Sequence, residues 1–374
     1  MTNQETLYTI ALTRIPRLNS IHQHMLLEES GSATAVFENR MDIRQVLPEA
    51  TDAMCKAISS MDAYLSFAEK ELEFAQSKQI KCIGMTDESY PSRLLECPDS
   101  PILLYYRGNA DLNAQHIISI VGTRQITEYG KDLCRTFITD LRRLCPDVLI
   151  VSGLAYGVDI HAHRNALEQN LSTLGVVAHG LDQIYPRLHR DTAIKMFSHG
   201  GLLTEYPSGT SIDKMNFVAR NRIVAGISDA TIIVESAAKG GSLITAGIAR
   251  DYNRDVFAFP GRITDTCSAG CNMLIAQNEA GALLNAEEFM STMGWQTEQS
   301  KKELREQHAQ LELFPDLSPE ELKVVACLKQ TDGKPNNQIS IETNIPMSQL
   351  TSLLFTMEMK GIVKMMSGGM YRLL

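Results

Sequence analysis

The chain has 374 residues, 44% of them hydrophobic and 21% charged, which is enough apolar material for a large buried core spread over two or three domains. No apolar run approaches the roughly 18 residues of a membrane span, and Met1 to Ile10 lacks the basic start and apolar centre of a signal peptide, so the expectation is a cytoplasmic protein with no membrane partner. The formal net charge of −9 argues against bulk attraction to nucleic acid, yet the excess acid is concentrated in the first 113 residues, and local charge governs contact with phosphate.

Residues 5 to 72 have a helical pattern of short amphipathic segments broken at Pro16 and Gly31, which predicts a small all-α domain. A connecting segment with Tyr90, Pro91, Pro98 and Pro101 leads into ILLYYRG, an expected strand at the edge of a central sheet. From His116 the pattern becomes an alternation. The expected strands are IISIVG, VLIVSG, LGVVAHG, GLLTEYP, ATIIVES and DVFAFPG; the expected helices are Tyr129 to Leu144, Asp159 to Gln169, Asp191 to Phe197, Asn221 to Ile227 and Leu243 to Arg250. Nearly continuous apolar strands alternating with helices predict an α/β fold: a mostly parallel sheet with helices on both faces. A further helical run is expected near Met273 to Met290, followed by the polar, weakly periodic stretch after Trp295, which reads as a linker.

The last segment opens with LSPEELKVVACLK, where Ser318 is placed to cap a helix that starts at Pro319. Two more helices and two short strands around Gly368 and Gly369 complete a winged-helix pattern. Its third helix offers mainly Ser348, Gln349, Thr351 and Ser352, and its charges are balanced, so protein interaction or packing is as well supported as DNA binding. The expected domains are 1–75, 76–295 and 316–374, with a linker at 296–315.

Chemistry in such a sheet gathers at the carboxyl ends of the strands. VGTR ends one strand with Gly122 permitting a tight turn and Arg124 able to reach an anion. SGLAYGVD ends another with Gly153 and Gly157 and sets Asp159 at a helix start, as a cap or as a ligand contact. Lys214, Arg220 and Arg222 cluster, with the two arginines expected at the start of a helix, while Arg250, Arg254 and Arg262 sit near loops or helix ends. Gly240, Gly241 and Ser242 open a further helix as a phosphate cradle, although their spacing fits neither a Walker A loop nor GxGxxG. His161 and His163 follow Asp159 on nearly opposite sides of a helix, with neither a serine elbow nor a zinc helix beside them. Glu205 and Glu235 end strands near the same edge and could form a carboxylate pair, or could cap and bind the arginine-rich segment. No complete catalytic set emerges. The 8 cysteines include no Cys-x-x-Cys pair, so no metal or disulfide framework is expected, and Cys267 and Cys271, spaced like ligands, read as buried thiols.

Taken in order, YPSRLLECPDSPILLYYRGN, ISIVGTRQITEYG, IVSGLAYGVDIHAH, VAHGLDQIYP, GGLLTEYPSG, NFVARNRIVAGIS, ESAAKGGSLITAGIARDYNRDVFAFPG and SAGCNMLIAQNEAGAL resemble one family, the DNA-processing protein A (Smf) proteins, over roughly residues 90 to 285. The resemblance implies an extended Rossmann-like domain that binds single-stranded DNA without cofactor or catalysis, forms a homodimer, protects incoming DNA and loads the RecA recombinase in natural transformation. It also implies an N-terminal helix-hairpin-helix or SAM-like domain and a C-terminal winged helix. By the same resemblance the DNA-binding positions are Arg124, Lys214, Phe217, Arg220 and Arg222, with Gly122, Gly153, Gly157, Gly240, Gly241 and Ser242 letting a backbone approach. The chain departs from the family where Gly240 replaces a common serine, and IPRLNS lacks the Gly-x-Gly hairpin that would present amides to DNA. The rival implied by the wider superfamily is a nucleotide-cleaving phosphoribohydrolase, but ESAAKGGSLITA has no acidic residue after its glycines.

Overall fold

The computed structural model describes residues 1–16, 18–295, 317–328, 333–366 and 370–373, and the chain divides into two compact units, Met1–Trp295 and Gln296–Leu374. The first is built on nine strands: β1 Lys81–Gly84, β2 Leu103–Gly108, β3 Ile117–Val121, β4 Leu149–Ser152, β5 Thr173–Val176, β6 Gly200–Thr204, β7 Ala230–Ile233, β8 Asp255–Ala258 and β9 Gly281–Ala282. They form one sheet in the order β1-β2-β6-β5-β4-β3-β7-β8-β9. Neighbours from β6 to β9 are parallel, and β1 and β2 are antiparallel.

The strands are apolar on both sides because successive side chains point to opposite faces and both faces are covered. Ile117 and Val121 of β3 join Leu149 and Val151 of β4 in the core under the helices Lys214–Gly226 and Gly241–Asp251, which contribute Ile223, Val224, Ala246 and Ala249. Ile118, Ile120 and Ile150 face the other way, against Phe137, Ile138 and Leu141 of helix Glu128–Leu144, Ala162 of helix Val158–Glu168 and Phe289 of helix Ala286–Thr292. Helices thus cover both faces, as the alternation predicts.

Several boundaries differ from expectation. The helix expected from Asn221 begins at Lys214, because Asp213 caps it by accepting from the Met215 N–H at 2.7 Å. Arg220 therefore lies inside the helix together with Arg222, and two residues of helix turn them to opposite sides. The strand in ILLYYRG is second from the edge; the edge strand is β1, four residues with a lysine and a cysteine that carry little alternating signal. The helical run expected near Met273 to Met290 splits into Ala269–Ala276 and Ala286–Thr292 around β9, with Asn278 at φ 57° ending the first piece. Cys271 is buried as expected, whereas Cys267 is partly exposed.

Ahead of the sheet come helices Asn3–Thr13, Ser20–Ser30, Ala33–Glu38, Asp52–Ser59 and Leu65–Ser77. Thr2, Asn19, Ser32 and Thr51 cap the first four, and Gly31 at φ 77° ends the second. Ile10, Leu12, Leu26 and Ile58 of these helices share one apolar cluster with Ile102, just before β2, and with Leu103 and Tyr105 in it. Glu71, itself buried, accepts a bond from the Ser208 N–H at 2.8 Å and one from the Ser208 hydroxyl, tying the last of these helices to the loop that leads into Lys214. No described helix is long and apolar enough to cross a membrane.

In the second unit, helices Pro319–Leu328, Asn336–Thr343 and Met347–Met359 surround Val324, Ile339, Leu350 and Leu354, beside a sheet of β10 Lys334–Pro335, β11 Val363–Met366 and β12 Met370–Leu373 in the order β10-β12-β11. Ser318 and Glu321 bond each other's backbone N–H at 3.2 and 2.7 Å, a reciprocal cap on the first helix. The short β10 is an addition to the two strands expected there. The linker 296–315 and the turn at Gly368 and Gly369 lie outside the described residues.

Candidate functional site

From β3 the chain steps through β4 and β5 to β6 on one side, then returns so that β7 pairs with the free side of β3. The loops after β3 and β7 leave the sheet in opposite directions and open a crevice at the carboxyl ends of the strands. A cavity of about 560 Å³ occupies that crevice. It is lined by Val121 to Arg124 after β3, Gly153 and Ala155 after β4, Ala237 and Lys239 to Ser242 after β7, and Lys214, Phe217, Arg220 and Asn221 of one helix.

Its floor holds two buried side chains of opposite charge. Arg220 is 4% exposed and donates to the carbonyl of Gly153 at 2.8 Å and to that of Val176. Asp159, 7% exposed, accepts from the N–H groups of Gly153 at 3.1 Å and Ala155 at 3.3 Å. Burial pushes the Asp159 carboxyl up, and the Arg220 charge pulls it back down. Arg220 and Asp159 therefore hold the β4 loop in shape from beneath. Leu154 of that loop, fully buried, takes φ 56°, a conformation rare for so bulky a residue.

The rim differs in kind. Arg124, Lys214 and Lys239 are exposed, and among the described residues none of them forms an ion pair. Gly240 caps helix Gly241–Asp251 with no side-chain bond, and the N–H groups of Gly241 and Ser242 have no acceptor among the described residues. Free amides at the positive end of a helix, ringed by unpaired cations, form an anion cradle. Among the described residues Asp159 is the one carboxylate lining the cavity, and it is turned into the floor. Phe217 stands half-buried in the wall, its ring centre 5.8 Å from the Arg124 guanidinium and 6.0 Å from that of Arg220.

The cavity thus gathers Arg124, Lys214, Phe217, Arg220, Gly122, Gly153, Gly240, Gly241 and Ser242, and leaves out Arg222 and Gly157. The Arg222 guanidinium bonds the Glu205 carboxylate and lies 3.9 Å from Asp99, on the far side of its helix. Gly157, at φ 77°, packs on the β3 loop, where a Cβ would fall 2.1 Å from the Thr123 carbonyl oxygen. The Ser242 hydroxyl donates to the Ser236 hydroxyl at 2.9 Å, bracing the cradle from within. Glu205 and Glu235 do not form a pair: Glu235 accepts from the Thr127 N–H at 2.8 Å and from its hydroxyl, which supports the helix after β3. Arg250 and Arg254 are paired with Glu279 and Glu96.

His163 is fully buried and its Nδ1 lies 2.7 Å from the Thr173 hydroxyl. That hydroxyl donates to the Ile150 carbonyl at 3.0 Å, which puts the imidazole N–H on Nδ1, and Nε2 has no partner among the described residues. Burial lowers its pKa to about 3. Sequence reasoning missed Lys239 and Asn221 as wall residues; a lysine set directly before the paired glycines was the available signal.

Fold and site together define an open α/β protein with an anion cradle at its topological switch point. The family model described as DNA recombination-mediator protein A matches residues 81–294, and the chain belongs to that family. Protein Smf of Synechocystis sp. is 37% identical over 227 residues, 60% of this chain, and the match spans only 56% of that relative. The structure of DNA processing protein A from Streptococcus pneumoniae superimposes with a TM-score of 0.66 at 30% identity, over 78% of this chain and 98% of that one. A Helicobacter pylori DNA processing protein A, whose structure concerns its single-stranded DNA binding mode, matches with a TM-score of 0.52 at 31% identity, over 57% of this chain and 95% of its own.

Proposed function

We propose that this protein binds single-stranded DNA in the cavity between the β3 and β7 loops and acts as a non-catalytic recombination mediator. The observation that carries the reading is the rim: Arg124, Lys214 and Lys239 unpaired among the described residues around the free amides of Gly241 and Ser242, with Phe217 beside them. Phosphate pairing and a flat aromatic face suit a single strand and read no base edge, so the binding is sequence-independent. The Helicobacter pylori relative, described for its single-stranded DNA binding mode, supports the same reading.

The finer proposals are that the protein works in the cytoplasm as a homodimer, protects incoming DNA during natural transformation, and hands it to RecA, in keeping with the family's description as recombination mediators. The helix, strand, helix, helix, strand, strand order after residue 318 is the basis for proposing a winged helix there. Domains 1–75, 76–295 and 316–374 are proposed as the working parts. Against nucleotide cleavage stands the engagement of the nearby carboxylates: Asp159 with two loop amides and Glu235 with Thr127.

The test is fluorescence anisotropy with a labelled poly-dT strand and its duplex at two salt concentrations. Salt-sensitive preference for the single strand supports the mediator reading. Equal or absent binding, or release of free base from AMP, overturns it.

A further inference from the structure

Apart from the cradle, a cavity of about 310 Å³ opens between the helices ahead of the sheet and the loop after β6. Arg14 and Phe67 form one wall, and Pro207 to Ser211 form the other. Arg14 directly follows helix Asn3–Thr13, and its guanidinium lies over the Phe67 ring, 4.9 Å from the ring centre. It is exposed, and among the described residues it forms no ion pair. No carboxylate among the described residues lines the cavity. Glu71, one helical turn beyond Phe67, is buried and has both oxygens engaged by Ser208, so its charge is committed to the loop.

The loop is braced through its carbonyls. The Thr210 hydroxyl donates to the Pro207 carbonyl at 2.7 Å, and the Gln183 side-chain amide donates to the Thr210 carbonyl at 3.0 Å. Gly209 makes the turn at φ 73° and leaves open space above it, since a Cβ there would meet nothing within 4 Å. The donors are left over: after Ser208, the N–H groups of Gly209, Thr210, Ser211 and Ile212 have no acceptor among the described residues. A run of unused amides on a braced loop, in one cavity with an unpaired guanidinium steadied on an aromatic ring, matches the acceptor oxygens and charge of a phosphate group.

We infer that this cavity is a second phosphate site, separate from the cradle, in which Arg14 and the amides of the 209–212 loop hold the backbone of the bound single strand against the N-terminal helices. The inference rests on the single-strand reading and extends it to a part of the chain whose net charge is negative. Ser211 stands three residues before Lys214 of the cradle, at most about 11 Å along the backbone. A strand covers that distance in a few nucleotides. The contact needs no Gly-x-Gly hairpin in IPRLNS, because the amides come from the loop after β6 and only the guanidinium comes from the helices. It meets phosphate alone and reads no base.

The experiment titrates poly-dT at several salt concentrations against the wild type, Arg14→Ala, Arg14→Lys, Ser211→Asp and the Arg14→Ala/Lys214→Ala pair. Arg14→Ala is expected to bind roughly two- to fivefold more weakly and to lower the slope of log affinity against log salt by about 0.7. Arg14→Lys should keep the slope, Ser211→Asp should weaken binding by setting a carboxylate among the amides, and the pair should show both slope decrements added. In a second arm, inorganic phosphate at constant ionic strength should raise the melting temperature of the wild type more than that of Arg14→Ala. An Arg14→Ala variant with the wild-type salt slope overturns the strand contact, including where its affinity falls through altered packing on Phe67. Phosphate protection that depends on Arg14 without any change in the poly-dT slope assigns the cavity to free phosphate and likewise overturns it. A wild type that binds no poly-dT overturns the single-strand function itself, and the phosphate arm then decides the site alone: equal shifts in wild type and Arg14→Ala overturn the site as well.

Discussion

The Arg124 guanidinium lies 5.8 Å from the centre of the Phe217 ring, so the loop after β3 supports the aromatic wall carried by the helix after β6. Such a contact contributes on the order of 0.5–1 kcal/mol where exposed. Arg124→Ala should therefore cost more than Lys214→Ala, because it removes a phosphate partner and also frees the ring. Each substitution should reduce the slope of log affinity against log salt by about 0.7, the value for one single-strand phosphate contact. Titrations with poly-dT at four salt concentrations check both.

The two glycines Gly157 and Gly241 should respond in opposite ways to alanine. A Cβ on Gly157 would collide with the Thr123 carbonyl oxygen at 2.1 Å and sit at φ 77°, so Gly157→Ala should lose about 1–3 kcal/mol of stability. A Cβ on Gly241 meets nothing within 4 Å. Gly241→Ala should melt like the wild type and bind DNA more weakly, because the methyl group fills the approach to the free amides. Thermal melts paired with anisotropy separate the two effects.

Arg222 should matter for folding and not for DNA. Its side chain and that of Glu205 are 12% and 15% exposed, and Arg222→Ala would leave the carboxylate buried without its cation. A loss of about 3–5 kcal/mol is expected by urea titration, with the salt slope of DNA binding unchanged. A slope lowered as far as in Lys214→Ala would return Arg222 to the binding surface.

His163 predicts an acid limit to stability. The unfolded chain takes up a proton near the ordinary histidine value of 6.5, whereas the buried imidazole does so only near 3. Between these values the unfolded state binds more protons, so this residue makes stability rise with pH up to about 6.5 and level off above it. Burial lowers His179 and His189 in the same direction. Denaturation midpoints from pH 4 to 7 should fall with acid, and His163→Gln should flatten that dependence whatever its effect on the midpoint at pH 7.

The sequence announces the strands of the sheet centre because burial on both faces makes them continuous apolar runs, as in IISIVG and VLIVSG. It announces Arg124 and the paired glycines because they follow strand ends, and Lys214 because it clusters with Arg220 and Arg222. It conceals β1, whose four residues are too few to show a period, and the first turns of helix Lys214–Gly226, whose apolar pattern is strong only beyond Arg220. Asp213 was the cue there, a capping residue directly ahead of the helix. Arg220 and Arg222 look alike in sequence, and only the rotation of the helix between them sends one to the cavity floor and the other to Glu205.

The bond from Ser208 to Glu71 has a consequence for how this protein could be cut down. A protease nick or engineered start at residue 76 would remove the carboxylate that holds the Lys214 loop and would strip the cover from Ile102, Leu103 and Tyr105. The trimmed sheet would expose a sticky edge and present its binding lysine on an unmoored tether. The N-terminal helices, which look from their net negative charge like the part to discard, act as the splint for the basic rim.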